Sequence, residues 1–337
     1  MVFALVLLCL LGLSILLNFG QFASHFVGAP GARYVHMAGP RIEEVLVEDN
    51  EGSDKIGVIE VDGLITSQVM DQGGFSLVDV VRAELQHAAE DHRVKAVVLK
   101  IDSPGGEVLA SDELNRAIVE FKKPVVTSMG GVAASGGYYI AAGSRWIMAN
   151  ELTITGSIGV IMHSWNYRGL MNKVGLRPEV YKSGKFKDML SGEREPEDVL
   201  PEERKMLQSM IDQTYDRFKS VVSSGRERSK AKNKDAGRAL CDNWVDYADG
   251  RVLTGSEALK LGFVDELGNF KDAVARAEKI AGTSEAKIVR YQQRYDFSDF
   301  FRLFGKSDAK VVKVDLGMNA PKLQTGRLYY VAPNFLR

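Results

Sequence analysis

The chain has 337 residues, 45% of them hydrophobic, which is enough to bury one large core or two modest ones and excludes a disordered protein. Its 43 Lys and Arg balance 44 Asp and Glu, so no basic excess points to a nucleic-acid partner. The two cysteines, Cys9 and Cys241, lie far apart, and no CxxC pair or Cys/His cluster suggests a disulfide, a metal or a cofactor.

From Met1 to Leu17 no side chain is charged, and only Gly12 and Ser14 interrupt an apolar run close to the minimum for a bilayer-spanning helix. Residues 1–19 are therefore expected to be a transmembrane anchor or signal-anchor. Gln21 two residues before Ala23 makes a poor cleavage pattern, which favours an uncleaved segment. Charge flanks do not fix its orientation, since no Lys or Arg precedes the run and Arg33 and Arg41 follow it. Residues 20–54, punctuated by Gly28, Pro30, Gly31, Gly39 and Pro40, read as a spacer.

A folded body is expected over 55–285. Ile56–Val61 and Val94–Ile101 are short β-branched runs, and between them Leu77, Val80, Val81, Leu85 and Ala88 recur at helical spacing. The alternation continues with a helix over roughly 109–121, a strand at Pro124–Ser128, a helix after Ser135 and a strand around Trp146–Met148. Strands alternating with helices imply an α/β fold with a mostly parallel sheet covered on both faces. Residues 196–235 are charged and helical, with Leu200, Met206, Met210, Ile211, Tyr215, Phe218 and Val221 on one stripe for packing on the body or on a neighbouring subunit. The basic cluster Arg226–Lys234 reads as a solvated helix end. Residues 286–337 form an extension with two strand-like stretches, Lys310–Val314 and Leu328–Val331.

Ser135 sits in Gly130-Gly-Val-Ala-Ala-Ser-Gly-Gly-Tyr-Tyr-Ile140, after a strand and before an apolar helical stretch. A small-residue turn there exposes a hydroxyl where free backbone amides favour a developing negative charge, although the same serine could simply cap the helix. Ile101-Asp-Ser-Pro-Gly-Gly106 follows the preceding strand, so Gly105 and Gly106 would lie at the same edge of a parallel sheet. A Gly-Gly pair lets amides point at a substrate oxygen, or it is an ordinary turn. Two such turns on neighbouring strands, one bearing a serine, describe a site. For a base there are five histidines, of which only His163 falls in a plausible region, and a lysine in Tyr181-Lys-Ser-Gly-Lys-Phe-Lys-Asp-Met189. Lys187 would have to be desolvated to act as a base, and three lysines in seven residues also fit a solvated loop.

These motifs resemble those of the signal peptide peptidase A (SppA/SohB-like) family, the S49 serine peptidases. The resemblance covers roughly 55–285, through Asp102–Gly106, Ala133–Tyr139, Thr155–Val160, Ser183–Asp188 and Gly250–Gly255 with Gly262–Gly268. It implies a Clp/crotonase-like core of repeated strand-strand-helix units, with Ser135 as nucleophile and Lys187, 52 residues later, as its base. It also implies that Ser157 steadies the lysine amine and that Gly106, or Gly105, joins the Gly136 amide in the oxyanion hole. Clp-type peptidases carry their catalytic histidine four residues after an arginine on the next strand. In Arg145-Trp-Ile-Met-Ala149 that position is alanine, which weighs against a histidine base. The implied protein is a single-pass cell-membrane enzyme with an extracytoplasmic catalytic domain that degrades cleaved signal peptides. It is further expected to be a homo-oligomeric ring in which serine and lysine meet across a subunit boundary. Two rivals are a crotonase-type acyl-CoA enzyme, which explains the glycines but not the Ser135 and Lys187 pairing, and a non-catalytic membrane scaffold.

Overall fold

The computed structural model describes residues 39–69, 74–294 and 327–332, together with Leu11, Gly12 and Ser14. The chain divides into a unit of Met1–Ala38 and a unit of Gly39–Arg337. In the first, Leu11, Gly12 and Ser14 are helical; the rest of the anchor expected over 1–19 lies outside the described residues. Among the described residues, no helix is long and apolar enough to cross a membrane.

In chain order the second unit contains strands β1 (Ile42–Glu48) and β2 (Lys55–Ile65), helix α1 (Leu77–Glu90), β3 (Val94–Glu107) and α2 (Val108–Glu120). There follow β4 (Val125–Ala134), α3 (Gly136–Ala141), β5 (Trp146–Ala149), β6 (Ile154–Gly156), β7 (Ile161–Met162) and α4 (Arg168–Lys173). The long helix α5 (Pro201–Asn233) precedes β8 (Val252–Thr254), α6 (Gly255–Lys260), β9 (Glu266–Leu267), α7 (Phe270–Ala281), β10 (Lys287–Gln293) and β11 (Leu328–Val331). The main sheet runs β1-β10-β2-β3-β4-β5-β9, parallel from β10 to β9 with β1 antiparallel at its edge.

Period-2 alternation explains why both faces are covered. Ile56, Val58, Ala96 and Val98 face Ala273 and Ala277 of α7. Ile59, Val61, Val97, Leu99 and Ile101 face Val81 and Leu85 of α1 and Leu114 of α2. Helix α1 starts with a full capping box: the Ser76 hydroxyl accepts from the Asp79 amide, and the Asp79 carboxylate accepts from the Ser76 amide.

The body extends past both expected boundaries. Ile42–Glu48, within the stretch read as spacer, is a strand on β10, which itself lies beyond residue 285. The strand-like stretch Lys310–Val314 falls outside the described residues. The central strands are also longer than their β-branched runs. β3 continues through Asp102–Gly106, expected to be a turn, and β4 continues through Gly130 and Gly131 to Ala134. The register shifts between Asp62 and Leu64 and again between Ile101 and Ser103. Beyond these shifts the strands stay paired and take on further partners in the same sheet, β3 with β11 and β4 with β6.

A buried carboxyl sits under α1. Glu84 is 5% exposed, its Oε2 has no hydrogen-bond partner among the described residues, and burial, reinforced by the Glu60 carboxylate, pushes its pKa from 4.5 up to about 8. The native chain therefore keeps a proton that the unfolded chain loses between about pH 4.5 and 8, and stability falls as pH rises through that window. Glu84→Gln is expected to abolish this slope, adding on the order of 2–4 kcal/mol at pH 8 and little at pH 4.5. Thermal unfolding at the two pH values checks it; an equal gain at both would contradict the assignment.

Candidate active site

Ser135 occupies the one-residue turn between β4 and α3 with φ 55° and ψ −117°, a conformation that costs a non-glycine residue energy and persists only where the surroundings impose it. The impositions are visible on both sides. The Ser135 amide donates to the Gly156 carbonyl at the end of β6 (2.8 Å), and its carbonyl accepts from the Tyr139 amide (2.8 Å). Helix α3 is in turn pinned by two buried tyrosines, whose hydroxyls donate to the Phe263 carbonyl (2.8 Å) and to Asp112 Oδ1 (2.6 Å). The serine is 1% exposed, and its Oγ has no hydrogen-bond partner among the described residues. A helix cap would have used that hydroxyl on an amide of α3; none is so bonded.

The Gly105–Gly106 pair lies directly against this turn. A Cβ on Gly136 would fall 3.1 Å from Gly105 Cα, 3.1 Å from the Gly106 nitrogen and 2.6 Å from Ser111 Oγ. At Gly105, φ is +103° and a Cβ would come within 2.6 Å of the Gly136 nitrogen, so glycine is required there by conformation and by space. The two expected turns therefore meet, with their amides side by side. The Gly105 amide donates to Ser103 Oγ (3.1 Å).

Ser157, expected to steady the base, directly follows Gly156 and so lies one residue from the carbonyl that receives the Ser135 amide. It too has positive φ (50°), is buried, and donates its amide to Arg251 carbonyl at 2.7 Å. It forms part of a groove of about 460 Å³ closed on the far side by Ile211, Asp212 and Tyr215 of α5 and at one end by Val331.

Lys187 is elsewhere in character. It lies in the loop between α4 and α5 and is exposed. Its neighbours are committed: Lys182 pairs with Asp188 (2.6 Å) and Lys185 with Glu202 (3.5 Å), whereas Lys187 makes no ion pair among the described residues. The loop is tied down by Arg194, which bridges Asp188 (3.6 Å) and Glu203 (2.9 Å). Because Ser135 Oγ has no partner, serine and lysine are not in bonding contact within one chain. His163 is exposed after β7 and is not bonded to Ser135 either.

The sequence did not disclose what covers Gly105 and Gly106. β11 runs antiparallel to β3, with Val331 opposite Gly105 and Tyr330 opposite Gly106, and it also pairs with β7. Tyr330 is fully buried against Tyr139 (5.0 Å, stacked) and Phe218 (4.6 Å), and its hydroxyl donates to the Thr214 carbonyl (3.0 Å). The aromatic and β-branched content of Leu-Tyr-Tyr-Val signalled a strand, but nothing local signalled its partner.

Comparison with known proteins bears on this arrangement. Residues 117–284 match the family described as Peptidase family S49, and residues 65–152 match the Clp protease family. The chain is 34% identical over 269 residues to a candidate signal peptide peptidase SppA of Enterococcus faecium, covering 78% of this chain and 74% of that protein. A candidate protease of Synechocystis sp. is 42% identical over 236 residues, covering 69% and 77% respectively. Protease 4 of Haemophilus influenzae is 34% identical over 244 residues, 70% of this chain but 36% of that longer protein.

Proposed function

The chain belongs to peptidase family S49, a family of serine peptidases, and from that premise we propose that it is a membrane-associated endopeptidase using Ser135 as nucleophile and Lys187 as general base. The observation that carries this reading is the buried, partnerless Ser135 Oγ, held at positive φ beside the amides of Gly136 and Gly106. An unbonded hydroxyl in a site this closely packed is costly unless something else uses it.

In the proposed reaction neutral Lys187 takes the Ser135 proton as Oγ attacks the scissile carbonyl. The oxyanion is held by the Gly136 and Gly106 amides, the protonated amine gives its proton to the leaving nitrogen, and water then releases the acyl group. The lysine would come from a neighbouring chain in a ring and enter by the groove beside Ser157, where burial would remove the water that keeps its amine charged. The surface around Lys187 supports such an assembly. Trp165, Leu170, Val174, Leu176, Val180 and Tyr181 are each more than half exposed, an apolar surface of the kind that marks a protein contact. Cleaved signal peptides are the proposed substrates, and a single-pass anchor over residues 1–19 with an extracytoplasmic body is the proposed setting. A peptide pairing with Gly105–Glu107 would take the place of β11.

A fluorophosphonate probe tests the nucleophile. Labelling of the parent chain, lost in Ser135→Ala, is expected; labelling that survives the substitution would sink the assignment, and a thioester enzyme would not be labelled at all.

A further inference from the structure

A second cleft lies at the opposite end of β4 from the serine, separated from it by the strand's length of roughly 30 Å. Its volume is about 360 Å³, and three separate elements supply its cations. Lys122 and Lys123 come from the turn before β4, Arg145 from the turn before β5, and Arg228 and Lys232 from the last turns of α5. No carboxylate lines it, and none of the five cations forms an ion pair among the described residues. In a chain of net charge −1, where the half-buried or buried arginines at 168, 194, 226 and 276 each face an acid, five cations gathered in one concavity without an ion pair among the described residues stand apart.

Two of the five are hydrogen-bonded to neutral acceptors, and the Asp91 carboxylate offsets only part of what burial costs the Lys123 charge. Lys123 Nζ donates to the carbonyls of Ala88 (2.6 Å) and Asp91 (2.7 Å), and Arg145 Nε donates to Asn233 Oδ1 (3.0 Å). Arg228 is half-buried with no acceptor among the described residues, and burial pushes its pKa down against the smaller help of Glu227. A guanidinium withdrawn from water without a partner is unfavourable unless a ligand provides one. Val119, Phe121 and Pro124, with Ser144 and Ser229, also line it.

We propose that this cleft binds a phosphate-class anion, held by Arg228 and Arg145 with Lys122, Lys123 and Lys232 around it. Cations converging from three elements suit a tetrahedral group with several acceptor oxygens better than one planar carboxylate. The phosphate could belong to a lipid headgroup or be free in solution, and the experiment separates the two.

The full chain in neutral detergent at low ionic strength is titrated calorimetrically with pyrophosphate, with monomeric dihexanoyl phosphatidylglycerol, with its phosphatidylcholine counterpart and with a glutamate-rich peptide. The parent is compared with Arg228→Gln and with Arg228→Gln/Lys232→Gln. Pyrophosphate is expected to bind, and Arg228→Gln to weaken it by about tenfold or more, with thermal stability and peptidase turnover unchanged. Phosphatidylglycerol binding with the same dependence on Arg228 identifies a lipid headgroup as the source; pyrophosphate binding alone identifies a free phosphate. The proposal is overturned if the parent binds no phosphate compound, if the double variant binds as the parent does, or if only the acidic peptide binds. None of these outcomes depends on the identity of the nucleophile.

Discussion

Ser135→Ala is expected to lower peptide turnover by about four orders of magnitude or more, and Lys187→Ala by about two to four, with neither variant less stable than the parent. The structure separates the two effects cleanly. Oγ of Ser135 makes no hydrogen bond among the described residues, so deleting it strands no donor or acceptor there and should relieve a buried unsatisfied hydroxyl. Lys187 is exposed and in no ion pair among the described residues, so its truncation should change stability by no more than about 0.5 kcal/mol. A residue that stabilises nothing yet sits at a strained, fully enclosed turn is retained for another reason. Turnover and thermal unfolding measured on the same preparations check both halves; parent-like turnover in Lys187→Ala would remove the lysine from the mechanism.

Arg226→Met is expected to destabilise the chain by about 3–5 kcal/mol. Arg226 on α5 and Asp265 ahead of β9 are 1% and 0% exposed at their side chains, and the pair is bidentate at 2.9 and 2.5 Å. Arg226 Nε also donates to the Gly262 carbonyl (3.0 Å), while Asp265 receives the Ile147 amide (2.8 Å). Removing the guanidinium leaves a buried carboxylate with only the Ile147 amide and the more distant Arg238 amide (3.4 Å) to stabilise it. Arg226→Met/Asp265→Leu should recover part of the loss, because two apolar groups demand no solvation, although the Ile147 amide then loses its acceptor. Urea denaturation of the two single variants and the double one measures the coupling. Additive losses would show that the pair does not act as a unit.

Much of the fold was legible because it follows from periodicity. The spacing of Leu77, Val81 and Leu85 and the β-branched runs at 56–61 and 94–101 placed α1, β2 and β3 on the correct layers. What failed to read was the behaviour of glycine-rich segments inside a strand. Asp102–Gly106 and Gly130–Gly131 have turn composition, but here the strand shifts register and takes on a further partner rather than ending. The site was half legible for a related reason. Ser135 and the two glycine turns are local, and their meeting follows from lying on adjacent parallel strands. The exposed position of Lys187 and the seating of β11 over Gly105 and Gly106 depend on contacts across large sequence separations, which no local pattern encodes. The basic run at the end of α5 read as solvated, and Lys230, Lys232 and Lys234 are exposed, but Arg226 is buried against Asp265, and only the fold brings Lys122, Lys123 and Arg145 to the cleft beside Arg228.

The measurement that bears most directly on the shared dyad is complementation between two inactive chains. Ser135→Ala chains retain the lysine, and Lys187→Ala chains retain the serine. Coexpressed in equal amounts, they should regain about a quarter of parent turnover, because a site is complete only where a serine-bearing chain meets a lysine-bearing neighbour. Mixed assemblies with no more turnover than either variant alone would contradict a dyad built between chains.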